Sequence, residues 1–512
     1  MPSFPSDTTL LPADTNQARG LACYAIEFLR GSPPPVSAPT FALLERFHLD
    51  SVGCGISALA AQTNAPSVLR REALGIAPAA GSTGAVCFGS GRRCLVERAV
   101  AANTAAVREW DSNGTNFGYD PGRGRIAGEF GHNDYYPVAI AAATEARFGG
   151  DTTLRVMLLI DEIRGRLAEV FALRNYAIDH VHHGTVACAT AFTAALGGDQ
   201  DQIESAIGMA VAHYVPYRAI RAGHQLSDSK GASAALAAEV AVMCSRRALA
   251  GFVGPRDVFR NPLAIYRLNQ PCPDGQSPFE LELGLGGDAF AIHSMHFKLG
   301  LYEHQSAGAI QSLVDLFARH PSLAAALPQI QRIRVRIYEP AFSIIADPAK
   351  RTPTTRQSAD HSLPFILART LLKAAGHSGI EPPDWRRLML LPNDFTAEAI
   401  TDPAVARLIA KMVIEPGGTE YDSLYPDGIP TSVVIEHESL GTLDGGLVRH
   451  PLGHARSDPT ETGRLVDLKF DRLVAGAVDS AEVIRKRVRL AGKTAEEVAE
   501  LYAFSIDGCD PD

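Results

Sequence analysis

Apolar residues at helical spacing, set among many Ala, Gly and Ser, run through the first half of the chain, and this pattern narrows the fold more than any other feature. "TFALLERFHLDSVGCGISALAA" reads as a long buried helix. "YYPVAIAAATEARF" follows with Pro137 where a first helical turn tolerates it, and "DTTLRVMLLIDEIRGRLAEVF" opens on Asp151 as an N-cap. "DQIESAIGMAVAH" sets Ile203, Ala206, Ile207, Ala210 and Val211 on one face, with Asp201 as its cap and Glu204 three residues on. "KGASAALAAEVAVMCSRRAL" is rich enough in small residues for neighbouring helices to approach closely.

The character changes after "PCPDGQSP" at residues 271–278. "QRIRVRIYEP" alternates Ile333, Val335 and Ile337 with Arg332, Arg334 and Arg336, and "TSVVIEHESL" is a second β-branched run, so both predict half-buried strands. Helical stretches such as "AGAIQSLVDLFARH" and "SLPFILARTLLKAAG" surround them. After "HPLGHARSD" helices return, ending in "KTAEEVAELYAF" with Thr494 and Glu497 spaced as a capping box. The expectation is a mainly α protein: a large all-helical domain built from both chain ends (1–285 and 457–512) and a smaller inserted α+β lid (286–456). No internal repeat interrupts this plan.

At 512 residues the chain exceeds one compact core. Its net charge of -9, without a basic tail or stripe, argues against nucleic acid or an anionic membrane and favours a small-molecule partner. Eight scattered cysteines contain no C-x-x-C pair, so their spacing encodes no zinc site, iron–sulfur cluster or disulfide framework, and a reducing cytoplasm fits. The N-terminus lacks a signal-peptide pattern and no run of about 18 apolar residues occurs, so neither secretion nor membrane spanning is expected.

Four stretches carry titratable groups. In "YAIDHVHHGTVACATAF", His180 and His183 stand three apart on one helix face while His182 points elsewhere; metal binding, acid/base catalysis and ordinary structural roles all remain open, though the glutamate of an H-E-x-x-H zinc motif is missing. "EWDSNGTNFGYDPGRGRIAGEFGHND" is a long polar excursion offering Asp111, Thr115, Arg123, Arg125, Glu129 and His132; it is either functional or a mobile surface loop. "YRAIRAGHQLSDSKGAS" gathers Arg218, Arg221, His224 and Lys230 before a helix, a grip for a carboxylate or a solvated basic turn. "HSMHFKLGLYEH" adds His293, His296, Lys298 and His304. A nominal G-x-G-x-x-A at Gly284, Gly286 and Ala289 lacks the βαβ context of a dinucleotide fold, and "FGSGRR" lacks the ending of a phosphate loop.

Together with "LDSVGCGISAL", "AANTAAVREWDSNGT", "FKLGLYEH" and "HPLGHAR", these segments resemble the MmgE/PrpD family over nearly the whole chain. The family includes 2-methylcitrate dehydratase, cis-aconitate decarboxylase and iminodisuccinate epimerase; "DHV", the R-x-x-R before the lysine and "PLGHAR" are most similar to the dehydratases. The resemblance implies a cytoplasmic, homodimeric, metal- and cofactor-independent hydro-lyase of the methylcitrate cycle in propionate catabolism, with its site between helical domain and lid. It implies Asp111, His132, His180 and His304 as catalytic residues and Thr115, Lys230 and Lys298, with Arg218 and Arg221 beside them, as substrate-binding ones. His132 and His180 would exchange protons with a hydroxy-polycarboxylate through an aci-carboxylate stage, in an order left open. Decarboxylation or epimerisation of a related polycarboxylate is the alternative within the family, and a non-catalytic carboxylate binder is the alternative outside it. The chain departs from the dehydratase pattern in a longer 116–131 segment and in Phe365, where the family has a tyrosine.

Overall fold

A computed structural model describes residues 7–117, 129–221, 225–377 and 381–509. Most are helical. The expected long helix spans Ala38–Ala60, capped by the Ser37 side chain, which accepts from the Thr40 N–H. It packs against Val96–Glu109 on one side and against Pro459–Val474 on another, so a helix from late in the chain returns to the early ones. Asp228–Leu249 packs on both Val96–Glu109 and Val181–Ala195, and the latter also meets Gly150–Val170 and Gln200–His213. Every residue of Val181–Ala195 is buried, which is why its sequence shows small apolar residues all round and no polar face.

The caps correct two expectations. Gly149, not Asp151, caps Gly150–Val170; Asp151 lies in the first turn and accepts the Gly492 N–H. Asp199, two residues before Asp201, caps Gln200–His213 and forms a reciprocal box with Gln202. The Thr494/Glu497 box forms as expected.

Both predicted strands lie in one four-stranded sheet of order Gly441–Val448, Thr431–His437, Ile330–Ile337, Met412–Pro416, antiparallel except for the last pair. Ile333, Val335 and Ile337 face the core while Arg332, Arg334 and Arg336 face out, and the helix Ala307–Arg319 packs against the strands Thr431–His437 and Gly441–Val448. The strand before Gly284 pairs antiparallel with Thr8–Leu11 in a two-stranded ribbon, so the glycine match stands outside any βαβ unit. A second ribbon, Thr115–Phe117 with Glu129–His132, sets Thr115 opposite His132 and so joins the two ends of the polar excursion. Among the described residues no helix is long and apolar enough to cross a membrane.

Candidate active site

Val96–Glu109 ends where Trp110 turns extended, and Asp111 follows in the interior with its carbonyl accepting the Tyr302 N–H at 3.0 Å. Four cationic or imidazole groups converge on its carboxylate. Lys298 donates to Oδ1, Arg108 stands 3.4 Å from the same oxygen, and Lys230 Nζ and His361 Nε2 lie 3.3 and 3.1 Å from Oδ2. Burial alone would raise this carboxyl, but Lys298, Lys230 and Arg108 together hold it well below the ordinary range. Lys230 also donates to Asp360 at 3.1 Å, and Asp360 takes further bonds from Arg356 at 2.8 Å and His361 Nδ1 at 2.7 Å. Burial opposes ionisation of Asp360 too, yet Lys230 and His361 bring it down to about 2. Oxygens of Asp111 and Asp360 and a nitrogen of His361 lie within 4.8 Å of one another, but ammonium groups already neutralise both carboxylates, so this is an ion-pair network and not a metal ligand set.

The two expected histidines stand together, with ring centroids 5.4 Å apart. Each faces a guanidinium: Arg108 Nη2 lies 3.2 Å from His132 Nε2 and Arg164 Nη2 lies 3.2 Å from His180 Nδ1. A guanidinium can only donate, so both of these ring nitrogens are acceptors and any ring proton sits on the other nitrogen. Burial, Arg108 and Lys298 push His132 well below its ordinary pKa, which keeps it neutral. Arg164 also donates to the His132 carbonyl and, at 2.9 Å, to Asp134, and it lies 4.6 Å over the Tyr135 ring. One arginine thereby fixes both histidines. His180 is the N-cap of its helix, with its backbone already in the helical conformation. His182 and His183 bond the carbonyls of Tyr214 and Phe171 at 3.3 and 2.9 Å, and burial lowers them to about 4 and about 3, so both are neutral structural groups.

Close packing sets this geometry. Gly184 makes room for Tyr135: a Cβ there would stand 2.3 Å from the tyrosine ring. At Gly53 a Cβ would meet Phe470 at 2.8 Å, so the glycine in "LDSVGCG" lets Pro459–Val474 approach Ala38–Ala60. From that late helix Lys469 pairs with Asp50 at 2.5 Å and donates to the carbonyls of Ser112 and Lys298 at 2.7 Å each, tying together the two segments that carry Asp111 and Lys298.

A cavity of about 440 Å³ opens beside the network, lined by Arg108, Asp111, His132, His180, Lys230 and His361. Arg218, Glu303, Asp347 and Lys350 add to its wall. Three expected residues stand elsewhere. Lys298 is buried on Asp111 and does not line the cavity. Thr115 is fully buried; its backbone exchanges hydrogen bonds with His296, and its hydroxyl has no partner among the described residues. His304 is turned into a column of rings, 5.0 Å from His296, which in turn lies 4.0 Å from His454. Phe365 belongs to the core and packs 5.5 Å from Phe395. Arg123, Arg125 and His224, and the side chains of Glu129 and Arg221, lie outside the described residues.

Sequence reasoning missed Arg164, Asp360, His361 and Glu303. Arg164 had a signal, a charge four residues after Ile160 on an otherwise apolar helical stripe. "ADHS" repeats the Asp-His pair of "IDHV", a weaker one. Glu303 sits one residue before the expected His304, in a turn whose facing side chains no periodicity reveals.

A cation-rich cavity with buried carboxyls and imidazoles is a site for a small anionic molecule. Residues 21–270 match the MmgE/PrpD N-terminal domain and residues 302–491 the MmgE/PrpD C-terminal domain. The chain belongs to the MmgE/PrpD family, and membership implies an enzyme that processes polycarboxylates.

Proposed function

We propose that the protein is a metal-independent hydro-lyase that removes water from 2-methylcitrate or a closely related hydroxy-polycarboxylate. The observation that carries this reading is the cavity in which Asp111, His132 and His180 meet Arg108, Arg218, Lys230 and Lys350. Lys350 has no salt-bridge partner within 4 Å among the described residues, so positive charge is left over for substrate carboxylates. Cations around the α-carboxylate favour loss of the α-proton, because the negative charge of the aci-form develops beside them. In this reading Lys230 and Arg218 hold carboxylates, Asp111 keeps the two lysines in register, and His132 and His180 stand in the wall beside the reacting end. His304 and Thr115 contribute from behind the wall. Segment 286–456 would act as the lid over residues 1–285 and 457–512, in a cytoplasmic homodimer.

The test is an NMR assay of chelator-treated protein in deuterated water with 2-methylcitrate, citrate, cis-aconitate and iminodisuccinate. Alkene formation from 2-methylcitrate supports the dehydratase. Carbon dioxide release from cis-aconitate, or α-proton exchange confined to iminodisuccinate, moves the reaction to decarboxylation or epimerisation. Saturable binding with no product on any acid would overturn an enzymatic role.

A further inference from the structure

The reaction proposed above needs a group that can take a proton from carbon and another that can give one to the leaving hydroxyl. His132 and His180 are poorly placed for either task, since the nitrogens that could accept a proton are already bonded to Arg108 and Arg164. Protonating either ring would first require breaking a buried guanidinium contact. Another pair lines the same cavity without that constraint.

We propose that Glu303 and His361 are the proton-transfer pair of this site, His361 Nε2 as base and the Glu303 carboxyl as acid. His361 donates Nδ1–H to Asp360 at 2.7 Å, which fixes the tautomer and leaves the Nε2 lone pair unprotonated. Asp111 Oδ2 stands 3.1 Å from that nitrogen, so the charge of an imidazolium formed there is held between two carboxylates. Glu303 is buried and lines the cavity; its Oε2 accepts the Gln305 N–H at 2.8 Å, and Oε1 makes no hydrogen bond among the described residues. The two segments are locked together, because the Glu303 N–H donates to the Asp360 carbonyl at 2.8 Å.

Their protonation states are inverted from the ordinary ones, as an acid and a base sharing a site require. Burial, then the charge on Asp111, pushes Glu303 up to about 7, against the opposing pull of Lys298 and Lys230. Burial and Lys230 bring His361 down to about 4, with Asp111 and Asp360 working the other way. Near neutral pH a protonated carboxyl and a neutral imidazole therefore face one substrate. In the step, the α C–H bond breaks and its proton goes to His361 Nε2 while its electron pair passes into the α-carboxylate. The electrons then return to form the alkene as the β C–O bond breaks, and the hydroxyl leaves as water with the Glu303 proton. Return of the proton from His361 to Glu303, directly or through water, restores the resting site.

This proposal rests on the lyase reading, and two measurements separate their failures. The first needs no substrate. Infrared spectra of the full-length protein, titrated across neutral pH, are expected to show protonated-carboxyl absorption that disappears as pH rises through about 7 and is reduced in Glu303→Gln, the remainder belonging to Asp161. Identical spectra of wild type and variant would overturn the pair whatever the substrate is. The second follows α-proton exchange and alkene formation on whichever acid the wild type turns over. His361→Asn is expected to lose both by at least about 100-fold, while Glu303→Gln keeps exchange and loses alkene by a similar factor. Retention of kcat within about threefold in either variant would overturn the assignment. Wild-type silence on every acid would sink the lyase reading, and the infrared titration would still decide the pair.

Discussion

At the scale of single residues, the site is governed by how buried charges are paired. Asp111 is the acceptor shared by Lys298 and Lys230, and all three are almost completely buried. Removing one partner of a buried ion pair costs far more than the pair contributes, because the remaining charge is stranded away from water. Asp111→Asn is therefore expected to destabilise the fold by about 3–5 kcal/mol in chemical denaturation, and adding Lys298→Met to recover part of that loss. Strict additivity of the two changes would mean that Lys298 does not depend on Asp111. Arg164 acts differently. It touches His132, Asp134 and His180 through separate N–H groups, which lysine cannot reproduce. Arg164→Lys should lower kcat/KM by about 100-fold through misplacement of both rings, with the loss mostly in kcat; a variant within threefold of wild type would show that the histidines hold their places without it. Asp111, His132 and His180 were legible through the resemblance to the MmgE/PrpD family, whose motif positions fall on them. The sequence could not reveal that guanidinium groups bind the rings, since Arg108 and Arg164 come from other helices and only helix packing brings them to the histidines.

At the scale of elements, periodicity was a good guide wherever one face of a helix or strand meets the core. Ala38–Ala60, Asp228–Leu249 and Ile330–Ile337 lie where alternation and helical spacing put them. Caps were harder, because Asp199 and Asp201 offer the same chemistry two residues apart and only the backbone at the helix start decides between them. Turns were hardest of all: "LYEH" contains both Glu303 and His304, and it is Glu303 that lines the cavity. Helix contacts also yield a test of how packing reaches the chemistry. Gly184 admits the Tyr135 ring, and Arg164 lies on that ring's face. A methyl at Gly184 must displace the tyrosine, so Gly184→Ala is expected to cost about 1–3 kcal/mol and to lower kcat as well. Thermal unfolding and steady-state kinetics of the same preparation check both; loss of stability with full activity would uncouple Tyr135 from the site.

At the scale of the whole molecule, the interior holds an unusual store of neutral imidazoles. Burial keeps His48, His182 and His361 at about 4 and His183 and His454 at about 3. In the unfolded chain each regains an ordinary pKa near 6.5. Between roughly pH 6.5 and 4 the unfolded state therefore binds more protons than the folded one, and acidification through that window destabilises the fold. Asp161 and Glu303, raised by burial to about 7, work in the opposite sense: unfolded they would titrate near 4, so folding gains as pH falls from 7 toward 4. Five depressed histidines outweigh two raised carboxyls, each pKa unit corresponding to about 1.4 kcal/mol. Asp360, held down at about 2, adds its own loss only below the unfolded carboxyl range. The expected result is a melting temperature that falls steadily from neutral pH toward pH 4, with a net loss on the order of several kcal/mol before the paired carboxylates begin to protonate. Activity has the other slope at the alkaline end, since Glu303 must keep its proton to serve as acid and turnover should decline as pH rises through about 7. Calorimetry and kcat measured on one pH series distinguish the two effects: above neutrality the histidine contribution is complete and Glu303 and Asp161 lose their protons, so the melting temperature should level off while kcat falls, and a fall of both in parallel would mean that unfolding, not the titration of Glu303, limits the enzyme above neutrality.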